Sequence, residues 1–130
     1  MNKSEIPVEI RSSFEAGSVI PALPLALRRD RSFDERRERA LLRYYIDAGA
    51  GGIAVGVHST QFEIRDSEFG LFEPVLELAS EAIDEWSGRA GAAVMKIAGC
   101  TGSTSQAAAE ARLASDLGYH ACLAGLAGLK

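Results

Sequence analysis

Apolar positions along the chain fall into short continuous runs and into longer stretches with helical spacing. Residues 52–57 form a continuous run of small and β-branched residues, which is typical of a strand buried on both faces of a parallel sheet. Residues 18–27 are almost as apolar, but Pro21 and Pro24 remove two backbone donors, so we expect a short strand that runs into a loop. Two further strands are predicted at residues 91–99 and 119–126.

Helical spacing separates these runs. In residues 32–49 the apolar positions recur at helical intervals, Ser32 and Glu35 have the spacing of a capping box, and Gly49 suits a left-handed C-terminal cap. A second helix is indicated by Pro74 at a plausible first-turn position, followed by an apolar face made of Val75, Ala79, Ala82 and Trp86.

A third, alanine-rich helix follows the strand predicted at residues 91–99. Ser103 and Gln106 again have capping-box spacing, and the helix is predicted to end at Leu117 and Gly118. Strands that alternate with helices require crossover connections, so the predicted fold class is α/β with a parallel sheet. Two architectures fit this alternation: an open doubly wound sheet, or part of an eight-unit barrel of about 250 residues.

Length and charge narrow the class of protein. The chain has 130 residues, 47% hydrophobic and 25% charged, as expected for one soluble globular domain. The net charge of -4 argues against a nucleic-acid or anionic-membrane surface, and no apolar run approaches the roughly 20 residues that span a bilayer. Acidic residues interrupt a local arginine cluster, so we interpret the cluster as a solvated helix face; its members are Arg28, Arg29, Arg31, Arg36, Arg37 and Arg39.

Cysteine usage and the N-terminus predict a cytoplasmic protein. Cys100 and Cys122 are the two cysteines, and residues 1–11 lack the apolar run of a secretory signal. The predicted strands place the cysteines on neighbouring strands, where a disulfide is not expected in a reducing cell. His120 is the local base that could activate Cys122, although two buried core cysteines are the favoured interpretation.

Three other features carry candidate chemistry. Lys96, on a predicted strand, is a weak candidate nucleophile, and an ion-paired or snorkelling lysine is the favoured alternative. Residues 99–105 join a strand to a helix N-terminus and could attract an anion, but helix capping explains them as well. With His58 and His120 as the two histidines and no clustered carboxylates, we predict no metal site.

The polar segment after the second strand is the strongest candidate site. His58, Ser59, Thr60 and Gln61 follow the apolar run directly, at the carboxyl end of a strand, where parallel α/β proteins build their sites. The alternative for His58 is a solvent-facing loop position, and the sequence favours neither.

Three segments together, at residues 17–27, 33–56 and 96–123, resemble the N-terminal half of the dihydrodipicolinate synthase and N-acetylneuraminate lyase family. The resemblance implies that residues 1–130 form a single domain, the N-terminal half of an aldolase-type (β/α)8 barrel truncated to about four strands. It further implies a lyase or synthase in which a lysine forms a Schiff base with pyruvate or a related 2-keto acid, without a cofactor and in a homo-oligomer.

The same resemblance implies the site residues. In the family a Gly-Thr-Thr-Gly-Glu segment after the second strand binds the keto acid's carboxylate. The corresponding residues here include Gly56, which matches, and Val57 and His58, which stand at the two threonine positions; Ser59 and Thr60 offer hydroxyls from shifted places. The predicted substrate-binding residues are therefore Gly56, His58, Ser59 and Thr60.

Two parts of the family's catalytic machinery have no counterpart in these residues. The stretch that corresponds to the family's tyrosine proton relay is residues 124–127, which contain no tyrosine, and the Schiff-base lysine belongs to a sixth strand. We therefore expect the chain alone to be inactive. Two alternatives remain open: a non-catalytic module that self-associates through unpaired strand edges, and a domain that binds a small anion.

Overall fold

The fold is described from a computed structural model over residues 6–129. Three parallel strands alternate with helices, and a further helix precedes them. The strands are β1 (Gly52–Val55), β2 (Met95–Cys100) and β3 (Ala121–Ala124); the helices are α1 (Val8–Ala16), α2 (Glu35–Asp47), α3 (Phe72–Ala90) and α4 (Thr104–Asp116). Short 3₁₀ helices follow at His58–Thr60, Phe62–Arg65 and Leu126–Gly128. Within residues 6–129, no helix is long and apolar enough to cross a bilayer.

The strands lie in the order β1-β2-β3, each parallel to its neighbour. Ala54 pairs with Ile97 on β2, and Ile97 pairs with Ala121 on β3. On the other side of β1, Ala22 forms a single parallel bridge with Ala54. The short first strand predicted at residues 18–27 is thus present as an extended segment, and the prolines limit it to that one bridge.

The helices α2, α3 and α4 pack on one side of this sheet, which we call the helix-facing side. Tyr119 donates to the carbonyl of Leu76 on α3 at 2.7 Å, and Ser80 on α3 donates to Leu117 after α4 at 2.7 Å. Strands in chain order with all crossover helices on one side form a curved barrel sheet rather than a doubly wound sheet, which has helices on both sides. Of the two predicted architectures, the barrel is confirmed.

The hydrophobic core lies between the sheet and the helices. Ile53 and Val55 of β1 and Ala98 of β2 point into it and are fully buried. They pack against the apolar faces of α2 and α3, and α3 contributes Val75, Leu76, Leu78, Ala79, Ala82 and Ile83. The predicted face of α3 is thus confirmed, with Trp86 partly buried at its end.

The helix predicted at residues 32–49 forms, but its N-terminal cap was predicted wrongly. Asp34 is the N-cap, and its side chain accepts a hydrogen bond from the Arg37 amide at 3.1 Å. Ser32 instead donates to Asp30 at 2.6 Å, because the chain turns there before the helix begins. Gly49 has a φ of 96°, which confirms the predicted left-handed C-terminal position.

The other helix signals are confirmed, and one helix was not predicted. Pro74 lies in the first turn of α3, and the Ser103 hydroxyl caps α4 by accepting from the Gln106 amide at 3.3 Å. Helix α1 has no buried residue and therefore lacks the apolar stripe that would have revealed it in the sequence.

Candidate functional site

The candidate site is an open cavity of about 570 Å³ on the side of the sheet opposite the helices, which we call the inner face. The carboxyl ends of the strands border it, so it lies where (β/α) barrels build their active sites. His58 and Ser59 come from the turn after β1, Thr101 from the turn after β2, and Gly125 from the turn after β3. Apolar side chains form the rest of its wall: Ile20, Ala22, Ala54, Val57, Phe62 and Leu123.

Of the four predicted substrate-binding residues, His58 and Ser59 line this cavity. Both are exposed, and they belong to a single 3₁₀ turn that begins where β1 ends. The imidazole of His58 lies against the ring of Phe62, with 5.6 Å between the ring centres. An imidazole and a hydroxyl at the rim of an otherwise apolar cavity can hold and orient a carboxylate.

Gly56 and Thr60 lie beneath the cavity and support the turn. The Thr60 side chain is fully buried; its hydroxyl accepts from the Gly56 amide at 3.1 Å and donates to the Leu23 carbonyl at 2.6 Å. Gly56 has a φ of +74°, and a Cβ there would meet Phe72 and Leu76. These two residues shape the backbone that presents His58 and Ser59.

A buried ion pair fixes the carboxyl ends of β1 and β2. Arg65 donates from Nε to Glu110 at 2.9 Å, and its Nη2 donates to the carbonyls of Gly56 at 2.7 Å and Gly99 at 3.0 Å. Both side chains of the pair are only 9% exposed. Glu110 also accepts from the Thr101 amide at 2.9 Å, so one pair joins both turns that border the cavity to α4.

Aromatic rings complete the surroundings of this arginine. The guanidinium of Arg65 lies 4.4 Å from the ring centre of Phe72 and 5.6 Å from that of Phe62. The stacking orients the planar group while its hydrogen bonds fix its position. Because Phe62 also contacts His58, the same network reaches the rim of the cavity.

Lys96 lies on the helix-facing side of β2, away from the cavity. Its Nζ donates to the two oxygens of the Asp84 carboxylate at 2.8 and 3.0 Å and to the Ser80 hydroxyl at 3.1 Å. Only 5% of the side chain is exposed. Lys96 is therefore the ion-paired structural lysine that the sequence favoured, and it has no path to a ligand on the inner face.

The glycine-rich turn at residues 99–105 uses its own polar groups. The Glu110 carboxylate accepts a hydrogen bond from the Thr101 amide, and the Ser103 hydroxyl accepts one from the Gln106 amide. Gly99 allows β1 and β2 to approach closely, because a Cβ there would collide with the Gly56 carbonyl. Capping and close packing account for this turn. Among residues 6–129, no group of three metal-ligating side chains comes together.

Sequence reasoning missed the two residues that organise the site, Arg65 and Glu110. The available signal was in α4, where Glu110 shares the buried stripe of Ala107 and Ala114. A carboxylate in register with an apolar stripe must meet a partner inside the protein. Glu38 of α2 follows the same rule, since it lies in line with Leu42 and Ile46 and is fully buried.

Solved structures with this fold come from the dihydrodipicolinate synthases and N-acetylneuraminate lyases. N-acetylneuraminate lyase from Fusobacterium nucleatum superposes with a TM-score of 0.66 at 24% identity, over 82% of this chain and 34% of that one. Dihydrodipicolinate synthase from Aquifex aeolicus gives 0.64 at 23% identity, over 82% and 33%. The chain has the fold of part of a dihydrodipicolinate synthase barrel.

A third similar structure has a ligand. The E. coli K12 prophage protein YagE, of the dihydrodipicolinic acid synthase family, is in complex with pyruvate and superposes with a TM-score of 0.67 at 18% identity, over 82% of this chain and 33% of that one. The chain thus spans about a third of the length of the structures it matches. No family model matches the sequence, and no curated protein does.

Proposed function

We propose that the inner-face cavity is the carboxylate-binding half of a Schiff-base lyase or synthase site for pyruvate or a related 2-keto acid. The observation that carries this proposal is the position of His58 and Ser59, at the rim of an apolar cavity bordered by the strand ends. The partial match to barrels of the dihydrodipicolinate synthase type, one of them in complex with pyruvate, supports it.

In this function the chain's residues bind and orient the substrate. The Ser59 hydroxyl and the His58 imidazole hold the carboxylate, and Thr101 faces the same space from the next turn. The apolar wall offers a surface for the uncharged part of the substrate. Gly56, Thr60 and Arg65 hold the binding turn in place from below.

The covalent step requires an amine on the inner face. A neutral lysine attacks the keto carbon, water leaves, and the protonated imine then accepts the electron pair of the carbon–carbon bond that breaks or forms. Lys96 is the lysine within residues 6–129, and its amine is held by Asp84 on the other side of the sheet. The proposal therefore places the nucleophile on strands that complete the barrel. The 130-residue chain alone would bind the substrate without reacting with it.

Borohydride trapping with pyruvate, followed by intact-mass measurement, tests the covalent step. We expect no adduct on this chain, and an adduct on any longer version that its reading frame encodes. Lys96→Met is the matched variant: an adduct that disappears with this substitution would mean that Lys96 is the nucleophile. A longer version with no adduct would contradict the Schiff-base function.

A second candidate function is self-association without catalysis. The observation that favours it is the exposure of large apolar side chains. Leu123 on the inner face is 59% exposed, and Val19 and Leu126 are 77% and 78% exposed. The outer edge of β3 has no partner among the described strands. Sedimentation equilibrium at increasing protein concentration tests this function: a constant monomer mass would exclude it.

The predictions of localisation and of ligand class are proposals as well. The two cysteines are free thiols, which suits a reducing cytoplasm. We propose a small keto acid as the ligand, and neither nucleic acid nor membrane, because the net charge of -4 disfavours both anionic partners.

A further inference from the structure

A histidine side chain takes part in the hydrogen bonds that join β3 to β2, at the amino-terminal ends of the strands and away from the candidate site. The His120 amide donates to the Lys96 carbonyl at 2.8 Å. In return, the Lys96 amide donates to Nδ1 of the His120 imidazole at 2.9 Å. The imidazole thus takes the position that a backbone carbonyl has in a continuing parallel ladder.

This hydrogen bond exists only with a neutral imidazole. A ring nitrogen that accepts from an amide carries no proton, so the proton of the neutral ring is on Nε2. Protonation turns Nδ1 into a donor that faces the Lys96 amide, which is itself a donor. The bond between the His120 side chain and β2 is then lost, and only the bond to the Lys96 carbonyl joins the two residues.

The surroundings of His120 favour the neutral form. Burial and then the charge of Lys96 lower the pKa of His120 from 6.5, and the charge of Asp84 opposes this. An open cavity of about 400 Å³ beside the imidazole connects it with solvent. Titratable and charged groups face the imidazole or line this cavity from each neighbouring element, namely Lys96 of β2, Asp84 of α3, Arg112 and Asp116 of α4, Tyr119, and Cys122 of β3.

The strand that His120 holds has few other contacts. β3 is the outermost strand of the described sheet and pairs with β2 alone, and the side chains of residues 122–124 are exposed. A strand with so little buried surface depends on its ladder of hydrogen bonds. The carboxyl end of β3 also borders the candidate cavity, through Leu123, Ala124 and Gly125.

We propose that His120 is a pH-sensitive switch, which holds the amino-terminal end of β3 on β2 in its neutral form and releases it when protonated. The folded state disfavours the proton that the unfolded chain binds near pH 6.5, so this attachment is present above that pH and is lost as the pH falls below it. The proposal concerns the attachment of a strand, and it holds for any ligand of the inner-face cavity.

Amide hydrogen exchange of the ¹⁵N-labelled 130-residue chain, corrected for the intrinsic pH dependence of exchange, tests the switch. Between about pH 7.5 and pH 5.5, we expect the protection of the Lys96 amide and of the β3 amides to fall roughly fivefold relative to the amides of β1. A long-range ¹H–¹⁵N spectrum at pH 7.5 should show the His120 proton on Nε2. A proton on Nδ1 at that pH, or protection that does not change with pH, would overturn the proposal.

Two histidine variants separate the switch from a general effect of pH. His120→Asn places an amide oxygen, which accepts a hydrogen bond but does not titrate, near the position of Nδ1. The protection of β3 in this variant should not depend on pH. His58→Asn, at the other histidine, is the matched control and should keep the pH dependence of the wild type. A pH dependence that persists in His120→Asn, or one that disappears in His58→Asn, would contradict the assignment to His120.

Discussion

The two sides of the sheet differ in how completely this chain covers them. On the helix-facing side, Ile53 and Val55 are fully buried, and Lys96 is paired with Asp84 at 2.8 Å. On the inner face burial declines along the sheet, from Ala54 at 8% exposed, through the half-buried Ile97, to Leu123 at 59%. At β1 and β2 the helix-facing side is covered by residues close in sequence, whereas the inner face is open. At β3 both sides are exposed, with Cys122 on the helix-facing side and Leu123 on the inner face.

This difference follows from chain connectivity. Each crossover helix comes directly after a strand and covers the helix-facing side of that strand and its neighbour, so local sequence completes that side. In a closed barrel the inner face is covered by side chains from strands across the barrel. The candidate site is on the side that depends on distant residues, and under the proposed function the catalytic amine would come from them.

The largest expected effect is at the buried ion pair that joins the carboxyl ends of β1 and β2 to α4. Arg65→Met leaves the Glu110 carboxylate buried without its cation, and we expect a loss of about 3–5 kcal/mol in the free energy of unfolding. Urea denaturation measures it. Arg39→Met is the matched control, because Arg39 contacts Glu81 at 3.0 Å on the surface, and it should cost less than about 1 kcal/mol. Equal losses in the two variants would contradict a structural role for the buried pair.

The second effect concerns Glu38, a fully buried carboxyl that accepts from the Ala26 amide at 3.0 Å. Burial raises the pKa of Glu38 from 4.5 to about 7. The folded state therefore retains a proton that the unfolded chain loses, and stability falls as the pH rises from about 4.5 to about 7.

Glu38→Gln removes this titration and keeps the acceptor for Ala26. Above pH 7 we expect the variant to be more stable than the wild type by about 3 kcal/mol, with the two equal below pH 4.5. Thermal denaturation from pH 4 to pH 8 measures the difference. Parallel pH profiles for the two proteins would exclude Glu38 as the source.

A smaller effect is expected at the start of α4. Ser103→Ala removes the cap of the Gln106 amide and should destabilise the protein by about 1 kcal/mol. Ser103→Asp, which keeps a capping oxygen, is the control and should restore stability in urea denaturation. If both variants were equally unstable, the role of Ser103 would lie outside capping.

The smallest effect on stability is expected on the inner face. Leu123→Lys changes an exposed side chain, so the free energy of unfolding should change by less than about 0.5 kcal/mol. If the inner face drives self-association, the same variant should weaken it, as measured by sedimentation equilibrium. Tyr44→Lys, on the exposed surface of α2, is the control and should leave association unchanged. A change with Tyr44→Lys instead would place the association surface elsewhere.

The sequence predicted most of the fold because its signals are local. The apolar run at residues 52–57, Pro74 and the Ser103 cap each act within one element, and the structure has all three in the predicted roles. The start of α2 was predicted wrongly, because Ser32 and Asp34 both precede the helix and sequence spacing alone does not decide which one caps it. The order of the strands in the sheet could be determined only from the tertiary structure.

The candidate site was predicted less completely, because its supports are distant in sequence. Nothing around Arg65 indicates that it meets Glu110, 45 positions away, or that Thr60 bonds to Leu23, 37 positions earlier. His58 and Ser59 could be predicted because a polar break after a buried strand is a local feature, and both line the cavity. Whether they bind a substrate remains a proposal.

The most direct test of the account is a titration of the ¹⁵N-labelled chain with pyruvate, followed residue by residue through its amide resonances. We expect shifts confined to the inner-face turns, at His58, Ser59, Thr101 and Gly125. The apparent affinity for pyruvate should fall roughly tenfold in His58→Ala. Shifts concentrated on the helix-facing side, or no shifts at any accessible concentration, would contradict the assignment of this cavity as the keto-acid half-site.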